Sequence, residues 1–385
     1  MPANSGEGSL SSTSWVFSSA GSVQPDLVGL RTIVHARFNV RDAYVDQYGI
    51  PNFVVDKEPV KEKFKELLDD LRKLHLSASI RPWSDKLLIK IFQRTQARSS
   101  NPLINIVLML VTLGTILFAS YTLTYSMDPQ LLTTVFGGLN LNVQIAMFAA
   151  SLFGIIALHE TGHKLAASIH RMDSTLPYFI PGPPPFGTFG AVISLKSPAA
   201  NRDELFDLGF TGPLVGFIVT AFVAIASILT APLVPQAEVD RLVGQGLLAV
   251  QEWPRTPLLM IFLSNLGLRT VVPGQLLVLT QVAFAAEIGA LITFLNLIPA
   301  WQLDGGHIMR AALGPQGHRV ATGIGLAVLA LAGYWPFALL ILMFMLTRGG
   351  WAGVEPLDDV SSLSRGRKAL FGLALAMLAL CFMIF

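Results

Sequence analysis

Residues 142–163 read NVQIAMFAASLFGIIALHETGH, an uncharged run from Asn142 to Leu158 that leads directly into His159-Glu160-Thr161-Gly162-His163. At 1.5 Å per residue, a helix over the uncharged run is long enough to cross most of a bilayer. An H-E-x-x-H sequence on that helix sets two imidazoles at i and i+4 on one face, with a carboxylate beside them. This is the geometry that holds a zinc ion and deprotonates its water. In a soluble hydrolase the motif sits on an ordinary core helix, whereas here the preceding run is apolar throughout. The combination points to metal-assisted hydrolysis carried out within a membrane.

The composition agrees. The chain is 52% hydrophobic and 14% charged, whereas a water-soluble globule carries about a quarter charged residues. A polytopic membrane protein is expected, mainly α-helical, with the lipid bilayer as its surroundings. The net charge of +2 gives no sign of a nucleic-acid partner; the placement of the Lys and Arg residues is what matters. Cys381 is the single cysteine, which excludes an internal disulfide and a cysteine-rich zinc site. The first thirty residues are Ser/Gly-rich and lack the apolar core of a cleavable signal peptide.

Three regions are expected. Residues 1–30 read as a flexible tail. Residues 31–98 read as a small α+β domain outside the membrane: RTIVHARFNV and the stretch around NFVVD as strands, VKEKFKELLDDLRKLH as an amphipathic helix, and ASIRPWSDKLLIKIF as a hairpin. Residues 99–385 form the membrane-embedded domain, a helical bundle of six to seven segments. Spans are expected at 102–126, 142–169, 205–233 and 275–298, with an interfacial helix near 257–266 and a last span over 369–385. The prolines and glycines of YFIPGPPPFGTFGAVIS, residues 178–194, forbid a spanning helix and suggest a re-entrant hairpin. The stretch 321–346 fits either one tilted span or a helical hairpin broken at 333–336.

Short loops carrying Lys164, Arg171, Lys196, Arg202, Arg310 and Arg319 fall on one side, and Arg241, Arg255 and Arg269 on the other. The positive-inside bias then places the amino-terminal domain in the cytosol, and favours the hairpin over 321–346 because it also brings Arg348, Arg365, Arg367 and Lys368 to that side. The second and fourth spans run in the same direction, so His159, Glu160 and His163 meet Asp304 at one membrane face. Two histidines and one carboxylate leave a tetrahedral position open for water, as in a catalytic zinc site. Asp304 has an alternative role as the N-cap of a helix beginning at Gly305. His307 is read as lying outside the ligand set, because a fourth protein ligand would close the site. Glu287 stands mid-span as an intramembrane acid, functional or hydrogen-bonded in the core.

The paired motifs resemble the site-2 protease family of intramembrane zinc metalloproteases. The matching pieces are HETGH at 159–163, the N-x-x-P-x-x-x-x-D-G pattern from Asn296 through Pro299 to Asp304 and Gly305, and TGPLVG at 211–216. PFGTFGA at 185–191 and GVEPLDD at 353–359 are similar to the branch found in plastids, cyanobacteria and archaea. The resemblance covers roughly residues 100–385 and departs from the family pattern at Glu287. It implies one Zn2+ per chain, ligated by His159, His163 and Asp304. Glu160 would take a proton from the attacking water and return it to the leaving amine, and Asn296 would hold the substrate carbonyl or its oxyanion. The hairpin at Gly187, Phe189, Gly190 and Ala191 would bind substrate, pairing with a transmembrane segment unwound into a strand.

About forty residues separate the third and fourth spans, too few for the PDZ domain some family members insert there. The function implied is an endopeptidase cutting single-span membrane proteins near the cytosolic face, with a prokaryotic plasma membrane favoured. The rival readings are a non-proteolytic zinc-binding chaperone or scaffold, which has no need of Glu160, and a metal transporter, which would spread its ligands along a path.

Overall fold

Asp26, itself in an extended conformation, caps the first helix by accepting a hydrogen bond from the Gly29 N–H at 2.7 Å, the usual task of an N-cap aspartate. The computed structural model describes residues 26–94, 101–248, 255–347, 350–351 and 353–383. The expected tail up to position 25 and the segment 95–98 lie outside the described residues. The chain divides into two compact units, one comprising the chain up to Arg94 with Leu357–Ser361, the other comprising the remainder.

The first unit contains α1 (Leu27–His35), β1 (Val40–Val45), β2 (Pro51–Val55), α2 (Lys61–Arg72), β3 (Leu76–Trp83) and β4 (Lys86–Gln93). The strands form an antiparallel sheet in the order β1-β2-β4-β3. Alternate residues Ile80, Ala78, Leu87, Ile89 and Ile91 of the sheet meet Phe64, Leu67 and Leu71 of α2 in one core, each element burying the face its own period dictates. One expectation is corrected. RTIVHARFNV is not a strand throughout: Arg31–His35 belong to α1, and β1 begins only at Val40. The β-branched Thr32-Ile33-Val34 run suggests a strand, but Leu30 and Val34 recur at helical spacing and both are buried, so packing outweighs local propensity.

Leu357–Ser361 adds itself to the edge of this sheet. The Ile80 N–H donates to the Leu357 carbonyl at 2.9 Å, Arg81 Nη1 donates to the same oxygen at 2.7 Å, and Asp358 bridges to Ile80 in parallel sense. The edge of β3 is thereby covered by a segment drawn from far along the chain.

In the second unit the elements are α3 (Pro102–Tyr125), α4 (Pro129–Phe136), α5 (Leu141–Ile169), β5 (Tyr178–Pro181), β6 (Thr188–Val192), α6 (Arg202–Thr230), β7 (Leu233–Pro235), α7 (Gln236–Gly244), α8 (Leu258–Ser264), β8 (Gln275–Leu277), α9 (Gln281–Leu297), α10 (Asp304–Leu331), α11 (Trp335–Thr347) and α12 (Arg365–Leu380). Three helices, α3, α5 and α6, are long and apolar enough to cross a membrane. Their amino ends are capped by Asn101, Asn140 and Asn201, whose side chains accept from the first-turn N–H groups. The molecule is mainly helical, with small sheet regions.

Helix α9 is shorter than the 275–298 expected, because residues 275–277 pair with β7 as β8. Helix α10 kinks at Gly314, whose φ is 72°, just before Pro315. Ala332 to Tyr334 separate α10 from α11, so 321–346 is two helices rather than one. α12 starts at Arg365, earlier than the 369 expected. Near its start Arg367 Nε donates to Asp207 at 2.7 Å and Nη1 to Asp203 at 3.0 Å, while His170, at the end of α5, donates from Nε2 to Asp207 at 2.8 Å. Charge-assisted bonds of this kind join the ends of α5, α6 and α12.

Candidate metal centre

Helix α5 carries His159, Glu160 and His163, all buried. One turn of helix separates the two imidazoles, and their Nε2 atoms lie 3.1 Å apart. Asp304, the first residue of α10, brings Oδ2 to 3.4 Å from His159 Nε2 and 3.3 Å from His163 Nε2. Asn296, on the last turn of α9, places Nδ2 3.2 Å from His159 Nε2. The structure thus brings together all five residues expected here from three separate helices.

The donor set fits a metal. His163 Nδ1 lies 2.8 Å from the Leu208 carbonyl, which can only accept, so Nδ1 carries the proton and Nε2 presents a lone pair in the neutral ring. Two ring nitrogens and a carboxylate oxygen then face one another at 3.1–3.4 Å. Ligand bonds of about 2.0–2.1 Å in a tetrahedron put neighbouring donors ~3.3 Å apart. Glu160 offers a carboxylate oxygen within 4.8 Å of the histidine donor atoms.

Glycines of α6 make room for the imidazoles. A Cβ on Gly212 would stand 2.1 Å from His163 Nε2, and one on Gly216 would stand 2.8 Å from His159 Nδ1. On the opposing helix a Cβ on Gly162 would meet the Thr211 carbonyl at 2.6 Å. The two histidine rings therefore lie against bare backbone, in the manner of small-residue packing between membrane helices. TGPLVG is part of the family resemblance, but this platform role was missed in the sequence; the signal is the spacing Gly209-x-x-Gly212-x-x-x-Gly216.

The link from Asn296 to Asp304 folds back on α10. A Cβ on Gly305 would meet the Leu297 carbonyl at 2.1 Å, and one on Gly306 the Trp301 carbonyl at 2.3 Å. This close approach is why two glycines follow the aspartate. His307 Nδ1 donates to the Leu303 carbonyl at 3.0 Å, and no contact joins it to the donor atoms among the described residues. Glu287 lies on α9 nine residues before Asn296 and has no part in the cluster.

The hairpin residues divide into two groups. Gly187, at φ 76°, is wedged against α3: a Cβ there would lie 2.6 Å from Ile116 Cα, and its carbonyl accepts from Thr115 Oγ1 at 2.7 Å. Asn105 of α3 holds the approach to β5, donating from Nδ2 to the Leu176 and Pro177 carbonyls at 3.0 and 2.9 Å. Beyond this anchor, Phe189 is 74% exposed, Gly190 faces open space, and Ala191 pairs with Phe179 of β5. The outer edge of β6 has no strand partner among the described residues.

An H-E-x-x-H helix whose histidines meet a distant aspartate inside an apolar helical bundle defines a membrane metallohydrolase-type centre. Residues 147–333 match the model of peptidase family M50, and over this segment the chain is similar to the site-2 proteases. Over 242 residues it is 29% identical to a protein of Arabidopsis thaliana named "Probable zinc metalloprotease EGY1, chloroplastic", covering 60% of this chain and 41% of that one. A second Arabidopsis thaliana protein, "Probable zinc metalloprotease EGY2, chloroplastic", is 26% identical over 229 residues, covering 59% and 39%. Its namesake in Oryza sativa subsp. indica is 28% identical over 230 residues, covering 59% and 40%. The chain therefore spans about two fifths of the length of these relatives. No solved structure matches.

Proposed function

We propose that this chain is an intramembrane zinc endopeptidase that hydrolyses peptide bonds within or next to the transmembrane segment of single-span proteins. The observation that carries the reading is the convergence of His159 Nε2, His163 Nε2 and Asp304 Oδ2 beside the Glu160 carboxylate and the Asn296 amide. The names of the relatives, probable zinc metalloproteases, support the same metal and reaction.

His159, His163 and Asp304 hold the zinc, which when bound supplies Lewis-acid activation of water and of the scissile carbonyl. Glu160 takes a proton from the attacking water on its carboxylate oxygen and delivers it to the leaving amine. Asn296 Nδ2–H donates to the carbonyl oxygen as negative charge develops there. Leu208 fixes the His163 tautomer and so holds the ring in its ligating orientation.

A transmembrane helix hides its carbonyls in its own hydrogen bonds, so the substrate must unwind before attack. The free edge of β6, at Phe189, Gly190 and Ala191, offers backbone groups to a strand of substrate, and Gly187 anchors that edge on α3.

The bundle has six to seven membrane segments, with β5–β6 as a re-entrant hairpin, and the amino-terminal domain, residues 31–98, lies in the cytosol. Lys164 on α5, Arg171 just past its end, Lys196 in the following loop and Arg202 at the start of α6 support cleavage close to the cytosolic face. Arg310 contributes nothing to this argument, since it is 2% exposed with Glu355 at 3.9 Å.

Metal analysis of the purified protein, with cleavage of a single-span test protein by wild type and Glu160→Gln, tests the reading. Zinc in both with cleavage by wild type alone is expected. Zinc in both with cleavage by neither, across several substrates in detergent and in lipid, favours a zinc-binding scaffold; well-folded protein without zinc removes the site assignment.

A further inference from the structure

Three residues before Asp304 the backbone adopts a conformation that its side chain disfavours. Residues 300–303 form a turn closed by the Leu303 N–H donating to the Ala300 carbonyl at 3.0 Å. Trp301 occupies its second position with φ 46°, in the left-handed region where glycine or asparagine is usual and a bulky residue is an outlier. Such a conformation persists only where the surroundings over-determine it.

Here the surroundings are the far half of α10. The kink at Gly314 re-aims the helix, and beyond it His318, Thr322 and Gly325 follow one another at i, i+4 and i+7, a single stripe. His318 Nε2 lies 2.9 Å from the Trp301 carbonyl, which can only accept, so the ring donates from Nε2. Thr322 Oγ1 accepts from the Trp301 N–H at 3.2 Å. Gly325 lets the helix lie against the loop, since a Cβ there would stand 3.1 Å from Ile298 Cγ2 and 3.4 Å from the Pro299 carbonyl carbon. Both backbone polar groups of the strained residue are thus held by two side chains one turn apart, each fully buried. On its other side the Trp301 carbonyl rests against Gly306.

We infer that His318 and Thr322 are positioning residues for the metal centre: they clamp the Trp301 peptide and so fix where the chain delivers Asp304 to His159 and His163. The clamp deepens the peptidase reading and rests on Asp304 being a metal ligand. Neither side chain touches the donor atoms; each acts through the turn. Groups that orient ligands from outside the coordination shell change metal affinity by about 10–100-fold when removed, and the same scale applies to a ligand delivered by a clamped turn.

The test uses the full chain, purified, with zinc affinity read by chelator competition, kcat and KM on a single-span substrate, and melting temperature as the check on folding. His318→Leu is expected to weaken zinc binding by roughly 10–100-fold and to lower kcat with KM nearly unchanged. His318→Gln, which restores an N–H donor, should recover zinc affinity to within a few-fold of wild type. Thr322→Val keeps the shape and loses the acceptor, and shifts zinc affinity in the same direction by a smaller factor; it carries the test if His318→Leu does not fold.

A lower melting temperature with wild-type zinc affinity and kcat in the folded variants would mean a purely structural role and overturn the inference. Equal loss in His318→Leu and His318→Gln would overturn it as well. Asp304→Ala separates the two readings: wild-type zinc affinity there removes the ligand assignment and the clamp together. Loss of zinc there with wild-type affinity in His318→Leu removes the clamp alone.

Discussion

Replacing Gly212 with alanine puts a methyl group where the His163 ring now lies. The added Cβ would stand 2.1 Å from Nε2, 2.4 Å from Cε1 and 2.5 Å from Cδ2, against an ordinary contact of about 3.5 Å. Something must yield by more than an ångström. The neighbouring backbone has little slack, because Gly162 on α5 is packed equally closely on the Thr211 carbonyl. The ring therefore swings, carrying Nε2 away from His159 and Asp304. Metal–ligand distances tolerate about ±0.2 Å, and an ångström of misplacement in a catalytic array costs about 10²-fold in rate. The substitution favours the helix intrinsically by about 1 kcal/mol, while overpacking costs about 1–3 kcal/mol, so the fold should survive with a modest fall in melting temperature. Zinc content and substrate cleavage, measured beside melting, should show the metal and at least 10²-fold of activity lost from a folded protein. Gly216→Ala, at 2.8 Å from His159 Nδ1, should show a milder version of the same loss. Gly154→Ala on α5, where nothing lies within 4 Å of the added Cβ, is the control and should leave both readouts unchanged. Wild-type zinc and activity in Gly212→Ala would refute the platform argument.

Other outcomes follow from the same geometry. Asn296→Ala should retain zinc and lose about 10²–10³ in kcat, the usual effect of removing one donor to a developing oxyanion; an unchanged kcat would return Asn296 to helix packing. Phe189→Ala, at the exposed edge of β6, should raise KM several-fold at constant zinc content, and no change in KM would detach the hairpin from substrate. In the amino-terminal domain, hydrogen bonds from Arg41 hold the Asp56 carboxyl below its ordinary range. Because the folded pKa is the depressed one, this contribution is present above the unfolded carboxylate value of about 3.9 and is lost as pH falls through the folded value. Arg41→Ala should raise the Asp56 pKa, followed by NMR, and remove that part of the acid-limb dependence; an unmoved Asp56 would contradict it.

Much of the site is legible in one dimension because its chemistry is local. The i and i+4 spacing of His159 and His163 is a property of any helix, and the uncharged run before it announces that helix. Asp304 needs one further step, counting chain reversals, to reach the same end of the bundle. The platform under the histidines is different in kind. Gly212 and Gly216 are visible as small residues, but what a missing side chain makes room for depends on which helix faces it. Trp301 is less legible still, since a turn with a left-handed second position is recognised by glycine or asparagine, and a tryptophan there hides it.

In the amino-terminal domain the helix α2 and the β3–β4 hairpin are legible from their periods, whereas in α1 the helical spacing of Leu30 and Val34 is masked by the local strand preference of Thr32-Ile33-Val34. Leu357–Ser361 joins the edge of β3 across most of the chain's length, a pairing that no periodicity encodes. Arg310 counts as a loop charge by position but is buried, so it adds nothing to the positive charge on that side's surface.

The most direct test of the central claim is to place the protein with a single-span substrate in liposomes and map the cut by mass spectrometry of the new termini. The account predicts that zinc-loaded wild type generates termini within or next to the apolar segment, at the depth of His163 and Asp304, and that Glu160→Gln generates none. Cleavage that persists at the same bond in Glu160→Gln, or that falls only in a water-exposed loop, would contradict it.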